Sequence, residues 1–258
     1  RGVSSPLSHR LIEGVKTSFM FDRECWNEIF KFGKWVFIGS MLGFLLNSGD
    51  RIILAGYLSP EMLGIYSIAF LLAGACRELF KNLINSVFFP AISEITRSDP
   101  EHAKSIYYKV RLRIDAITMT AAGFIMASGS VIVSILYDER YYEAGWILEL
   151  FSVSLLFIGY NMAGMFLMAR GDSKSYSVMI FVSVLFLFTL LPLSYHHFGL
   201  YGAILVIAFN QVVDIPVSFY YLKKEKLLIL KREFAMVPLF FISYFATDFL
   251  LSFTGLII

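Results

Sequence analysis

A run of 39 residues, from Ser175 to Val213, contains no Asp, Glu, Lys or Arg. A transmembrane helix needs about 20 mostly apolar residues to cross about 30 Å of hydrocarbon. The run is therefore too long for one such helix and long enough for two. We expect it to turn at His196–Gly199, which gives one span at Tyr176–Tyr195 and another at Leu200–Leu222.

The rest of the chain has the same character. It is 57% hydrophobic and 16% charged, whereas an average soluble domain is about 45–50% apolar and about 25% charged. No short alternating strands of a membrane barrel are visible, and only helices satisfy their own backbone in lipid. The sequence thus predicts an all-α integral membrane protein with seven transmembrane helices. The predicted spans are Trp35–Leu58, Met62–Ile84, Ala116–Tyr137, Trp146–Ala169, Tyr176–Tyr195, Leu200–Leu222 and Phe234–Ile258.

The basic residues predict the orientation of these spans. With seven alternating spans, 20 of the 22 lysines and arginines fall on one side, and only Arg51 and Arg140 fall on the other. Because cytoplasmic loops carry an excess of lysine and arginine, we expect the N-terminal segment to be cytoplasmic. Topology alone explains the positive charge, so nothing indicates a nucleic-acid partner.

Three regions are predicted along the chain. Residues 1–28 form a cytoplasmic linker or surface helix, residues 29–232 a six-helix lobe, and residues 233–258 one additional transmembrane helix. Asp99, Pro100 and Glu101 form a typical helix start ahead of the third span. The chain begins at Arg1 rather than Met and ends inside an apolar run, so we expect it to be a piece of a longer protein.

Two arginines lie inside predicted spans, where a charge costs at least about 2.5–3.5 kcal/mol and usually faces a cavity or a partner. Arg51 either forms an interfacial ion pair with Asp50 or faces a cavity and meets a phosphate or an acidic sugar. Arg77 either extends to the cytoplasmic surface or contacts a diphosphate, whose geometry suits a guanidinium group. We therefore regard Arg51 and Arg77 as candidate substrate-binding residues.

Acidic and amide side chains inside spans supply the other candidates. Asp50, Asp214 and Asp248 are candidates for coupling to a cation or a proton, although Asp214 could instead bond a neighbour and Asp248 a residue outside this chain. Asn161 and Asn210 are candidates for contacts with sugar hydroxyls, the alternative being hydrogen bonds between helices. No P-loop, GxSxG or HExxH motif is present, so we expect no enzymatic activity, no cofactor and no bound metal.

Three blocks resemble the polysaccharide flippases, the O-antigen and repeat-unit translocases of the multidrug, oligosaccharidyl-lipid and polysaccharide exporter superfamily. The first block is Phe32–Trp35 followed by Asn47–Leu54, the second is Leu63–Ala69 and the third is Phe89–Ser93. The resemblance extends from about Glu28 to about Arg232 and covers what looks like the second six-helix lobe of a two-lobe transporter, followed by one extra helix.

This resemblance implies a function and a set of partners. The protein would flip undecaprenyl-diphosphate-linked oligosaccharides across the bacterial inner membrane by alternating access, for surface polysaccharide synthesis. Its partners would be that lipid-linked substrate, membrane lipids and a missing N-terminal lobe of the same protein. The alternatives are a cation-coupled multidrug or metabolite exporter of the same superfamily, a membrane enzyme of the polysaccharide pathway, and a scaffold without transport activity.

Overall fold

A computed structural model describes residues 23–95, 100–169, 171–224 and 228–254, and these residues form helices joined by short turns, with no strand. The α-helices are α1 (Arg23–Leu54), α2 (Pro60–Ile95), α3 (Pro100–Leu136), α4 (Ala144–Ser152), α5 (Asn161–Ala169), α6 (Ser173–Phe209), α7 (Asp214–Lys224), α8 (Leu230–Glu233) and α9 (Val237–Thr254). Short 3₁₀ helices span Glu139–Tyr141, Val153–Tyr160 and Asn210–Val213. The all-α membrane architecture is confirmed, and α3 begins at Pro100 as predicted, while Asp99 lies outside the described residues.

Six helical segments within the described ranges are long and apolar enough to cross a membrane. The fifth, Ser173–Lys224, has 52 residues, and its backbone leaves helical geometry at Gly199, where φ is 62° and ψ is −151°. The Ser183 hydroxyl donates a hydrogen bond to the carboxylate of Asp214, although 31 residues of straight helix would place them about 46 Å apart. The segment is therefore a hairpin that turns at Gly199, and the predicted seventh span is accounted for.

Contacts at both ends of the helices show the relative direction of two pairs of spans. The first and fifth spans run parallel. Near their predicted cytoplasmic ends, the Ser177 hydroxyl donates to the Trp35 carbonyl at 2.6 Å. Near their predicted outer ends, the rings of Tyr57 and Tyr195 lie 4.7 Å apart. In the predicted topology, an even number of reversals separates the first span from the fifth. The parallel arrangement therefore agrees with that topology.

The fourth and sixth spans are parallel to each other in the same way. Trp146 stacks near Tyr201 with ring centroids 5.9 Å apart, and further along both spans Tyr160 lies 6.0 Å from Phe219. The fourth span is built from α4, the 3₁₀ helix Val153–Tyr160 and α5, and it is the most buried of the six segments. It forms the centre of the bundle, while α1 and α9 lie at the periphery with most of their apolar side chains exposed, as lipid-facing helices are.

Candidate functional site

A cavity of about 280 Å³ lies between the first, second, fourth, fifth and sixth spans. It extends from near the predicted cytoplasmic ends, at Asn85 and Tyr176, to the middle of the bundle, at Leu187. Its lining combines charged, amide and hydroxyl side chains in a bundle that is otherwise apolar. The polar lining residues are Asn47, Asp50, Arg77, Lys81, Asn85, Asn161, Tyr176, Ser183, Asn210, Gln211 and Asp214.

Asp50 is buried at the junction of the first two spans, with 2% of its surface exposed. One carboxylate oxygen accepts a hydrogen bond from the Tyr66 hydroxyl. The other oxygen has no hydrogen-bond partner, and the residue lines the cavity. The ion pair with Arg51 that the sequence left open is not formed, and the Arg51 guanidinium group lies against the Phe70 ring instead.

The two candidate arginines meet at one aromatic ring. The guanidinium carbon of Arg51 lies 3.9 Å from the centre of the Phe70 ring, and that of Arg77 lies 5.2 Å from the same centre. Arg77 and Phe70 line the cavity, whereas Arg51 is exposed and lies outside the lining. Arg77 is therefore placed where it could contact a molecule in the cavity, and Arg51 lies against Phe70 at the edge of the cavity.

The candidate amides Asn161 and Asn210 both line the cavity, from the fourth and sixth spans. Asn210 is 6% exposed, and its side-chain oxygen has no hydrogen-bond partner; the same is true of the oxygen of Gln211. Both belong to the 3₁₀ helix Asn210–Val213 that joins the two straight parts of the sixth span. A buried acceptor without a partner carries a free-energy cost of about 1–3 kcal/mol, which a ligand with hydroxyl donors would remove.

The three candidate acids are separated by the structure. Asp50 and Asp214 line the same cavity, and Asp214 accepts the hydrogen bond from Ser183 described above. Asp248 lies on the exposed surface of α9, away from the cavity lining. The cavity thus brings together Asp50, Arg77, Asn161, Asn210 and Asp214, and it leaves Arg51 at its edge and Asp248 outside.

The structure contains a second buried polar cluster, which the sequence pattern did not predict. It centres on Arg111, whose side chain is 1% exposed. Its Nε pairs with Asp115 at 2.9 Å and its Nη2 with Glu233 at 2.9 Å. Its Nη1 donates to the Tyr107 hydroxyl at 3.1 Å, and its guanidinium carbon lies 4.2 Å from the centre of the Tyr160 ring.

This cluster connects the third span with the fourth span and with α8. Arg111 precedes the predicted third span, which begins at Ala116, so its position in the sequence indicates a charge on the cytoplasmic side rather than a buried one. The i,i+4 spacing of Arg111 and Asp115 is a signal for a helical ion pair, but the partners Glu233 and Tyr160 are distant in sequence. No local pattern could have assigned them.

Glu149 also has a role that its position did not predict. Its carboxylate accepts hydrogen bonds from the backbone N–H and the hydroxyl of Ser130, at 2.9 and 2.7 Å. The residue therefore joins the third and fourth spans near their predicted outer ends rather than facing water.

Comparison with known proteins assigns the chain to a family. The family model described as "Polysaccharide biosynthesis protein" matches residues 11–146, which is more than half of the chain. The chain belongs to the polysaccharide biosynthesis protein family. The matched part includes the first three spans, with the Asp50, Phe70 and Arg77 side of the cavity, and ends before Asn161.

Two curated proteins are similar to this chain. An uncharacterized membrane protein of Methanocaldococcus jannaschii is 23% identical over 242 residues, covering 88% of this chain and 47% of that protein. The lipopolysaccharide biosynthesis protein WzxC of Escherichia coli is 24% identical over 199 residues, covering 76% of this chain and 40% of that protein. The chain spans about half the length or less of these relatives. No solved structure matches it.

Proposed function

We propose that the chain forms one lobe of a transporter that flips undecaprenyl-diphosphate-linked oligosaccharide repeat units across the bacterial inner membrane. A second lobe of the same protein would complete the passage, and membrane lipids would surround the exposed faces of α1 and α9. The family assignment and the name of the Escherichia coli relative support a role in polysaccharide biosynthesis.

The observation that carries the proposal is the chemistry of the cavity. Arg77 and Lys81 offer positive charge to a diphosphate, and the amides of Asn161, Asn210 and Gln211 offer donors and acceptors to sugar hydroxyls. Guanidinium groups bind phosphate oxygens through two parallel hydrogen bonds. The combination suits a ligand with an anionic end and a hydroxylated end.

The charge of the cavity alone does not separate this function from cation-coupled export. The two basic residues, Arg77 and Lys81, are balanced by the two acids, Asp50 and Asp214. The amides favour a saccharide, because a hydrophobic cationic drug would leave their buried polar atoms without partners. We assign the acids to coupling with a cation or proton, which makes their loss distinguishable from the loss of substrate contacts.

The test is complementation of surface polysaccharide in a strain that lacks the transporter, with the full-length protein expressed at matched levels. We expect Arg77→Ala to reduce surface polysaccharide strongly, while Arg113→Ala, an exposed arginine outside the cavity, leaves it unchanged. Lipid-linked repeat units should accumulate on the cytoplasmic side in the Arg77→Ala strain. Normal polysaccharide with Arg77→Ala, or a full-length protein that never complements, would refute the proposal.

Coupling is tested in the same strain by comparing two acids. Asp214→Asn removes a charge from the cavity and should abolish transport, whereas Asp248→Asn changes an exposed residue on α9 and should leave transport close to normal. Equal loss in both variants would show that the cavity does not define the coupling site.

A further inference from the structure

The Phe70 ring holds two guanidinium groups close to one another. Its distances to the guanidinium carbons of Arg51 and Arg77, 3.9 and 5.2 Å, limit the separation of these two carbons to about 9 Å, within the range of cation–π contact on both sides. The two arginines come from different spans, and neither forms an ion pair with any residue that the structure describes. Phe70 is therefore the feature that brings them together.

Stacking on a ring leaves a guanidinium group free to bind an anion. The contact uses the flat face of the group, while its five N–H donors lie at the edge. A carboxylate partner would occupy those edges, but the acids next to the two arginines are bonded elsewhere: Asp50 accepts from the Tyr66 hydroxyl, and Glu78 accepts from the Lys81 ammonium group at 3.3 Å. Arg77 lines the cavity and forms no ion pair with a described residue, so its donors remain available there.

The ring is itself held in place by neighbouring aromatic side chains. Phe70 makes an edge contact with Phe151, with centroids 6.3 Å apart and planes at 88°. Tyr66 lies 6.0 Å from Phe70 on the same helix and also contacts Phe151, at 5.7 Å. Because Phe151 and Tyr66 are buried, the Phe70 ring has little freedom to move.

We infer that Phe70 is a positioning residue that holds Arg51 and Arg77 as a single binding site for a diphosphate. This inference rests on the proposed function and deepens it, since it names the group that prepares the two arginines before the substrate arrives. Preorganised donors bind more tightly than mobile ones, because less side-chain freedom is lost on binding. Phe70 touches the arginines and acts on the anion only through them.

The first experiment measures binding of inorganic pyrophosphate to the purified full-length protein by calorimetry. We expect Phe70→Leu to weaken binding roughly five- to thirty-fold, and Phe70→Trp, which keeps an aromatic face, to bind like the unchanged protein. Phe157→Leu removes a partly buried ring of the fourth span whose aromatic partner is Phe209, with centroids 6.5 Å apart, and should change the affinity less than about two-fold. Equal losses in Phe70→Leu and Phe157→Leu would mean that loss of aromatic packing in general is responsible, and would overturn the inference.

A second experiment separates the electronic effect of the ring from its shape. Replacement of Phe70 by trifluorophenylalanine keeps the size of the side chain but weakens the negative face that attracts cations. We expect pyrophosphate binding to weaken nearly as much as in Phe70→Leu, and we expect Phe70→Leu to add no further loss to the Arg51→Ala/Arg77→Ala double variant. Unchanged binding by the fluorinated protein, or no pyrophosphate binding by the unchanged protein, would overturn the inference.

The two proposals can fail separately. If pyrophosphate binds with the expected dependence on Phe70 but the full-length protein does not complement surface polysaccharide, the anion site stands and the flippase function falls. If complementation succeeds and depends on Arg77 but not on Phe70, the flippase function stands and the positioning role falls.

Discussion

Removal of the Arg111 guanidinium should be among the most damaging single changes to the stability of this protein. The group pairs with two carboxylates at 2.9 Å, from Asp115 and Glu233, in a site where its own side chain is 1% exposed. Arg111→Met fills much of the space but leaves both carboxylates buried without a counter-charge. Breaking a buried ion pair by removing one partner costs about 3–5 kcal/mol, and the contact with the Tyr160 ring is lost as well.

The assay is thermal denaturation of the full-length protein in detergent, followed by fluorescence-detected size-exclusion chromatography. With about 2–4 °C lost per kcal/mol in a chain of this size, Arg111→Met should lower the apparent melting temperature by on the order of 10 °C. Arg113→Met is the matched control, because Arg113 lies two residues away on α3 and is exposed. Its melting temperature should stay within about 2 °C of the unchanged protein.

The cause of the loss can be tested by neutralising the acids. If uncompensated charge is responsible, adding Asp115→Asn and Glu233→Gln to Arg111→Met should recover a large part of the melting temperature, since a neutral buried cluster avoids the penalty. Equal melting temperatures for Arg111→Met and Arg113→Met would refute this reasoning. A triple variant that melts at a lower temperature than Arg111→Met alone would refute it as well.

Two further predictions concern topology and the hairpin. In a cysteine-less full-length protein, a cysteine at Glu139 should react with an impermeant reagent added outside the cell and one at Lys174 should not; both sites are exposed, and labelling at Lys174 from outside would overturn the orientation. Gly199→Ala should lower the melting temperature, since φ of 62° with ψ of −151° is a conformation open essentially only to glycine and costs about 1–3 kcal/mol for other residues. Gly74→Ala, at a helical glycine where an added Cβ meets nothing within 4 Å, should be neutral, and equal effects of the two changes would contradict the strain at Gly199.

The sequence carried most of the information about the spans because the membrane imposes a length. The uncharged run could be divided only near its middle, and the structure turns it at Gly199, at the end of the predicted His196–Gly199 segment. The start of α3 at Pro100 was readable for a similar local reason, since proline suits the first turn of a helix and little else in it. In both cases, neighbouring residues alone determine the outcome.

The surroundings of individual polar residues were less predictable, because they depend on which helices pack together. Adjacent residues such as Asp50 and Arg51 point about 100° apart on a helix, so one lies buried against Tyr66 and the other outside the cavity. The partners of Arg111 come from segments about 50 and 120 residues away. The sequence shows that such residues are charged, but only the packing of the helices shows that they are buried in the bundle.

The 3₁₀ helix Val153–Tyr160 has a consequence for how the fourth span is compared with that of its relatives. A 3₁₀ helix turns 120° and rises about 2.0 Å per residue, against 100° and 1.5 Å for an α-helix. Over the 8 residues of this segment, the difference amounts to roughly 160° of rotation and about 4 Å of length. A helical wheel drawn through the whole span would therefore place Asn161 on nearly the opposite side from the cavity that it lines. Side chains before and after this segment must be assigned to faces separately.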